Sequence, residues 1–587
     1  MGHTIRSVLA AHEAGRKVAE TIEETYAAIA AYDDPALFIE LRPKEEALRR
    51  AVALEAEGPA GKPLYGVPFA VKDNIDVAGL PTTAACPAFV DHPARSAFAV
   101  DRLERAGAIA IGKTNLDQFA TGLVGVRSPY GVPRNPLRSD LIPGGSSSGS
   151  ATSVGAGLVP FSLGTDTAGS GRVPAALNGI VGLKPSLGAL STSGVVPACR
   201  TLDTISIFAG DVADAFLAFG VAAGYDAADP FSRRYPAPAL SAPPPHPRLG
   251  APRAEQRKFF GDALAEAAFS ADLARLADLG ATIVEFDIEP FYAVARLLYE
   301  GPWVAERYAA TKALIERDPE ALFPVTRQII ESARKYDAVA AFQAFYRLAD
   351  LKRETGAVWS QFDAMVVPTM PRPYTIAEVA ADPIALNSNL GTYTNFVNLL
   401  DLAAISVPAG RRADGLPSSV TLIGPAGSDG YLAGLAQQAQ SHGAAAGQAA
   451  TPRRAAPGRI EIAVVGAHLS GLPLNRELIA LGATFVREAQ TIPSYRLFAL
   501  PGATPPKPGL LRVAHGGGRA IAAEIWALDP SAFGQFVAEI PSPLSIGTIE
   551  FGDGSAVKGF LVEVEAVRNA EDVSNHGGWR AYLNARR

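Results

Sequence analysis

The chain has 587 residues, 48% of them hydrophobic and 19% charged, with a formal net charge of −6 and a sequence pI of about 5.9. That length argues for more than one domain, and that composition argues for globular cores rather than disorder. The acidic balance and the lack of a long Lys/Arg run argue against nucleic acid as a direct partner, two cysteines without a CxxC spacing exclude a disulfide framework, and no apolar run reaches the ~18 residues of a membrane span.

From the N-terminus, residues 5 to 31 carry apolar positions (Ile5, Val8, Leu9, then Val18 and Ile22) at helical spacing and predict a helix that stops near Asp33-Asp34-Pro35. The opening segment mixes charge with apolar residues and does not read as a secretory signal, so a cytoplasmic protein is expected. Apolar runs (GVPFAVK, GAIAIG, GLVPFSLG) then alternate with helical stretches such as Phe98 to Arg105, which predicts an α/β domain with a parallel or mixed sheet. Residues 226 to 254 turn rich in Pro and Ala and predict an extended surface connection inside that domain. The small, basic, unpatterned stretch 442–458 reads as a linker. It divides a domain of residues 1–441 from one of residues 459–587, which opens on the strand-like IEIAVVGAHL and predicts a small α+β or β-barrel unit. His246 and His442 both fall in such unpatterned segments.

Two motif matches mislead. GAIAIGKT (Gly107 to Thr114) fits GxxxxGK[ST], but its variable positions Ala-Ile-Ala-Ile read as a strand rather than a phosphate loop, and Thr114 with Asp117 reads as a capping box. GSSSG (Gly145 to Gly149) fits GxSxG, but it follows RSDLIPG, which lacks the apolar strand a nucleophile elbow needs.

Three segments taken together carry more. They are YGVPFAVKDNIDVAG with Lys72, IPGGSSSGSATSVGAG with Ser146, and SLGTDTAGSGRVPAALNGIVGLKPSLG with Ser170. No histidine lies within seventy residues of Ser170, so a serine nucleophile there needs another base. In this order and with GTD-x-x-GS-x-R-x-P followed by GLKPS, the chain resembles the amidase signature family over roughly residues 5 to 440. The resemblance implies a Ser-Ser-Lys triad: Ser170 as nucleophile, Ser146 as bridging serine with a cis peptide, and Lys72 as base. A lysine serves as a base near neutral pH only when burial holds it uncharged, and Val67-Pro68-Phe69-Ala70-Val71 should carry Lys72 into the core. Lys113 and Lys184 sit at turn-like positions. The resemblance also places an oxyanion hole on the backbone N–H groups of Thr167, Ala168 and Gly169, with Ala168 where the family has glycine. Read singly, the Gly/Ser loop is a flexible connection, Lys72 a snorkelling strand end, and Asp166 with Arg172 a scaffold pair.

LLYEGPWVAERYAA (Leu297 to Ala310) resembles the substrate-binding helix of allophanate hydrolases within that family. Tyr299 and Arg307, eight residues apart on one helical face, match residues used on substrate: a guanidinium grips a carboxylate, a tyrosine hydroxyl an amide. Without the resemblance, Arg307 reads as a surface partner of Glu306 or Glu300 and Tyr299 as a core aromatic. Val464 to Asn475 and Ile540 to Glu563 resemble the C-terminal domain attached to allophanate hydrolases, itself similar to γ-glutamylcyclotransferase-like barrels. There Gly466 leads to His468, a candidate for assisting decarboxylation of the first product; a dimer-stabilising or docking role for the tail stands equally open. The implied activity is hydrolysis of allophanate to ammonia and carbon dioxide without cofactor or metal, in a homodimer, with a urea carboxylase as pathway partner. The rivals are a broad amidase, the amidase subunit of a tRNA-dependent amidotransferase, and a non-catalytic binding protein on the same fold.

Overall fold

The computed structural model describes residues 4–440 and 454–586. Most of the expected linker 442–458, and His442 within it, lies outside the described residues.

An eleven-stranded mixed sheet forms the centre of the larger unit. Across the sheet its strands run Phe38–Leu41, Ile109–Thr114, Pro68–Lys72, Phe161–Asp166, Thr204–Ala209, Val181–Lys184, Leu402–Arg411, Pro417–Pro425, Ala364–Pro368, Arg248–Pro252 and Thr282–Phe286. Pro68–Lys72 pairs in parallel with both neighbours, while Phe161–Asp166 runs antiparallel to Thr204–Ala209. Every residue of Pro68–Lys72, Ile109–Thr114 and Phe161–Asp166 is buried, which follows from apolar runs with helices covering both faces. Phe69 and Phe161 stack across two of these strands with centroids 5.0 Å apart. The alternation of strands and helices expected from the sequence is present, and the helix Phe98–Arg105 has the expected bounds.

Four expectations need correction. The first predicted helix is two, Ile5–Glu13 and Val18–Tyr32, because Gly15 adopts φ 98° and turns the chain; Asp33, at φ 49°, ends the second. Lys113 and Lys184 do not sit in turns but in buried strands, Ile109–Thr114 and Val181–Lys184. Thr114 and Asp117 form no capping box: Thr114 ends its strand and its hydroxyl bonds Ser150 (2.6 Å), while the Asp117 side chain caps nothing and accepts from the Gly125 and Arg127 amides.

The Pro/Ala-rich connection is the fourth. Its first part is a surface connection, with Phe231, Arg233, Arg234, Pro236 and Ala237 exposed, but Ala239, Ser241 and Ala242 are buried where the chain runs as a strap between the larger unit and the C-terminal one. Ser241 N–H donates to Gly430 O (3.1 Å), Ala242 N–H to Phe485 O (2.9 Å), and Phe485 N–H to Ser241 Oγ (3.0 Å). A Cβ on Gly430 would lie 2.1 Å from Ala239 O, so glycine lets the strap pass.

The C-terminal unit is small and β-rich. One sheet has five strands, in the order Thr484–Gln490, Ala522–Leu528, Ile460–Val464, Ala556–Val562 and Leu544–Glu550, and a second has three. Its core is continuous with that of the larger unit: Tyr431 stacks on Trp526 at 6.3 Å, and both belong to one buried apolar cluster with Leu432, Ala436 and Phe485.

Candidate active site

The site forms at the ends of two adjacent parallel strands. Pro68–Lys72 delivers Lys72, fully buried, and Phe161–Asp166 delivers Thr165. Lys72 Nζ lies 2.8 Å from Ser146 Oγ and 2.7 Å from Thr165 Oγ1. Both neighbours are neutral hydroxyls, and among the described residues no carboxylate forms an ion pair with Lys72. Burial therefore dominates and pulls its ammonium from 10.5 down to about 7, against the opposing pull of Asp117, Asp203 and Asp166; the Arg307 charge pushes the same way as burial. The other two buried lysines differ in this respect. Lys113 is ion-paired with Asp73 at 3.2 Å. Lys184, lowered to about 8 by burial, donates to the carbonyls of Pro185 (2.8 Å) and Leu402 (2.6 Å). Of the three, Lys72 alone faces a serine hydroxyl.

Ser146 follows a cis Gly145–Ser146 bond, as the resemblance implies. Gly144, at φ 77°, turns the chain into it, and a Cβ on Gly145 would lie 2.0 Å from Asp117 Oδ2. Asp117 holds the loop from below: its N–H donates to Ser146 O (3.0 Å), and its carboxylate accepts from the Gly125 and Arg127 amides, both 2.9 Å.

Ser170 is 3% exposed and follows Gly169, whose φ of +138° and close approach to Thr394 (2.4 Å from the position of a Cβ) admit no side chain. Asp166 fixes this turn. Its carboxylate accepts from the amides of Gly169 (2.9 Å) and Gly171 (3.0 Å) and makes a two-pronged bond with Arg172, both prongs 2.9 Å. The scaffold pairing of Asp166 and Arg172 is therefore present, and it organises the loop that carries Ser170. Burial alone would raise the Asp166 carboxyl, but the Arg172 guanidinium holds it below the usual range.

The three amides of the expected oxyanion hole have unequal partners. That of Gly169 is already donated to Asp166. Thr167 is tied down through its hydroxyl, which bonds Asp203 Oδ1; Asp203 also accepts from Ala198 N–H (2.8 Å) and Cys199 N–H (3.2 Å), and burial raises it to about 6. Ala168 packs into the apolar cluster with Tyr393 and Phe396. Among the described residues no hydrogen bond joins Ser146 to Ser170.

Tyr299 and Arg307 meet, but not on one helix. Tyr299 lies at the end of the helix Glu289–Glu300 and Arg307 in the next, Val304–Arg317. Gly301 and Pro302 separate them; proline supplies no N–H to continue the first helix. The break leaves Arg307 Nη2 3.4 Å from Tyr299 Oη and its guanidinium carbon 5.5 Å from the ring centre. Arg307 is 2% exposed and donates to Ala120 O and Thr121 Oγ1, both 3.1 Å. It is thus not a surface partner of Glu306, whose carboxylate instead accepts from the Thr201 amide (2.9 Å) and hydroxyl. Arg307 makes no ion pair among the described residues, while its charge acts on Lys72, Asp203 and Cys199.

His468 lies apart, in the C-terminal unit. Its Nε2 is 2.9 Å from Glu477 Oε2, and its ring stacks on Phe560 (5.3 Å) and meets Phe536 edge-on (5.1 Å). It lines a cleft with Gly466, Glu477, Lys507 and Glu539. Gly466 abuts Pro508, 2.5 Å from where its Cβ would be, so packing shapes the turn. No group of three or more His, Cys, Asp or Glu side chains able to hold a metal ion occurs among the described residues.

Thr165, Asp117, Asp203 and Arg127 do not stand out in the sequence as site residues. Thr165 has a usable signal, since it neighbours Asp166 at the end of a strand parallel to the one bearing Lys72. Asp117 and Asp203 have none, because their partners, backbone amides and for Asp203 also the Thr167 hydroxyl, are brought into place only by the fold.

Residues 20–432 match the Amidase family and residues 460–584 the Allophanate hydrolase C-terminal domain. The urea amidolyase of Saccharomyces cerevisiae is 43% identical over 570 residues, covering 93% of this chain and 31% of its own length, so the chain spans about a third of that relative. A glutamyl-tRNA(Gln) amidotransferase subunit from Symbiobacterium thermophilum is 35% identical over 67% of this chain and 86% of its own. The solved structure of a Kluyveromyces lactis allophanate hydrolase superposes with a TM-score of 0.78 at 40% identity, covering both chains completely. The chain belongs to the amidase family. Its last part matches the Allophanate hydrolase C-terminal domain.

Proposed function

We propose that the chain hydrolyses allophanate (urea-1-carboxylate) through a serine acyl-enzyme. The observation that carries this reading is a buried arginine without an ion-paired carboxylate, Arg307, whose charge reaches a buried lysine hydrogen-bonded to hydroxyls, Lys72. An unpaired buried guanidinium is costly, and a carboxylate-bearing substrate supplies the missing charge. In this reading Arg307 binds the substrate carboxylate and the Tyr299 hydroxyl its amide region. Ser170 Oγ attacks the terminal carbamoyl carbon, and its proton passes by way of Ser146 to neutral Lys72. The amides of Thr167 and Ala168 receive the oxyanion, with that of Gly169 shared with Asp166. The proton returns to the departing nitrogen and ammonia leaves. Water then attacks the acyl carbon, releasing N-carboxycarbamate and restoring Ser170. Hydrogen bonds between catalytic groups commonly tighten only around a substrate, so the Ser146–Ser170 link is assigned to the substrate complex.

The residues after about 459 form, in this reading, a separate domain in which His468, with Glu477 as partner, assists decarboxylation of N-carboxycarbamate, making the overall products ammonia and carbon dioxide. A urea carboxylase is the expected source of allophanate, given that the relatives include urea amidolyases. We further assign the protein to the cytoplasm as a homodimer without a cofactor. An amidotransferase subunit or a general amidase on the same core accounts for Lys72, Ser146 and Ser170 but gives no role to Arg307 or the C-terminal domain.

The test is ammonia release from allophanate and, in parallel, from neutral biuret. A strong preference for allophanate that Arg307→Ala abolishes supports both substrate and clamp. Equal turnover of biuret in the unaltered protein overturns the substrate while leaving the chemistry of Ser170 in place.

A further inference from the structure

Arg307 is not the only buried guanidinium here. Arg127, from the segment GVRSP, is 1% exposed. Its Nη1 donates to Thr121 O (2.8 Å) and its Nη2 to Pro383 O (2.6 Å), while Nε is buried without a partner. Thr121 is therefore gripped twice: Arg127 holds its carbonyl, and Arg307 holds its hydroxyl together with the carbonyl of Ala120. Phe119 and Ala120, which lead into it, have φ of 49° and 52°. That left-handed backbone is unfavourable for residues with side chains and persists only where its surroundings impose it.

Asp117 opposes the charge of Arg127, and Asp203 and Glu306 that of Arg307, but none of these acids reaches either guanidinium directly. Among the described residues neither Arg127 nor Arg307 forms an ion pair with a carboxylate. The acid acting most strongly on Arg127 is Asp117, whose two oxygens are occupied by the amides of Gly125 and Arg127 itself. Arg127 and Arg307 repel each other, and Tyr299 lies within the field of both. Two like charges facing one buried turn are tolerated where an anion binds between or beside them.

We infer that Arg127 is a positioning residue for carboxylate selectivity: it fixes the Ala120–Thr121 turn against which Arg307 docks and adds a second positive charge to the subsite that takes an anionic ureide. This rests on the proposed carboxylate-bearing substrate. Arg127 touches no reacting atom; it acts through Thr121 and through its field. Removing it lets the turn relax and weakens the site for an anion more than for a neutral amide of the same size.

The experiment uses the full chain and four proteins: unaltered, Arg307→Ala, Arg127→Met and Arg127→Lys. For each, kcat and KM are measured on allophanate and on biuret. Arg127→Met should lower the allophanate-to-biuret ratio of kcat/KM by about tenfold or more, chiefly through a higher KM for allophanate. Arg127→Lys keeps the charge but loses the fork and should recover part of that ratio. Equal losses on both substrates in both variants would mean a purely structural role and overturn the inference, as would an unchanged KM for allophanate. If Arg127→Met does not fold, the ratio for Arg127→Lys decides by the same criterion. A selectivity shift in Arg307→Ala but in neither Arg127 variant sinks only this inference. No shift in Arg307→Ala sinks the substrate reading beneath it.

Discussion

Lys72 owes its chemistry to what surrounds it. A lysine at a strand end usually extends its ammonium to water, but here the strand ends inside the fold and the neighbours are Ser146 and Thr165. With its ammonium lowered to about 7, kcat/KM should fall tenfold per pH unit below that value, a limb that a pH–rate profile reads directly. The same shift affects stability. Between pH 7 and 10.5 the unfolded chain holds the Lys72 proton and the folded one increasingly does not, so Lys72 makes folding more favourable as pH rises across that window. Denaturant unfolding of Lys72→Met should lack this contribution and show a flatter pH dependence. A second residue-scale prediction concerns Gly145: the added methyl of Gly145→Ala would lie 2.0 Å from Asp117 Oδ2, displacing Ser146, and kcat should drop by at least about a hundredfold with ammonia release as the assay. The positions of Lys72, Ser146 and Ser170 are legible in the sequence because a family pattern binds three separated segments. Thr165 is not, because its partner Lys72 lies far away in sequence, and Asp203 and Arg127 are not, because no local pattern marks their bonds to nearby loop backbone.

Among the elements, the strands and the helix Phe98–Arg105 are legible because their signals are local: apolar runs, helical spacing, flanking turns. The helix pair carrying Tyr299 and Arg307 reads in sequence as one helix, since eight residues at helical spacing fit a single face as well. The interruption at Gly301 and Pro302 is what brings the two side chains together across a corner instead of stacking them two turns apart. Gly301 is needed there, because a Cβ would lie 2.3 Å from Leu297 O. Gly301→Val should therefore shift the second helix and raise KM for allophanate by about tenfold, with a smaller effect on biuret, in steady-state assays. The Pro-rich strap misleads for a related reason: proline and alanine mark an absence of regular structure, but they do not say whether the irregular chain meets water or another domain.

For the whole molecule, fold class and the existence of a C-terminal unit can be read from alternation and composition, while the order of the eleven strands cannot, since non-local pairing leaves no trace in spacing. Nor does the sequence reveal that the two units share one core. Trp526 lies in the C-terminal sheet, yet its ring is fully buried against Tyr431 and Phe485. Trp526→Ala should cost about 3–5 kcal/mol in denaturant unfolding, and it should lower the unfolding midpoint of the amidase unit as well as its own.

The strap has a further consequence. Ser241 and Ala242 lie buried between the two units and bond to both, so the polypeptide ahead of residue 440 already contains part of a complementary surface. Covalent continuity between the units then adds proximity rather than fit. Two genes, one ending after residue 440 and one starting near 454, should yield chains that find each other and restore activity when co-expressed, as split reporters do. Made alone, each should expose the apolar face its counterpart covers and aggregate, and size-exclusion chromatography of the separate and joint preparations distinguishes the two outcomes.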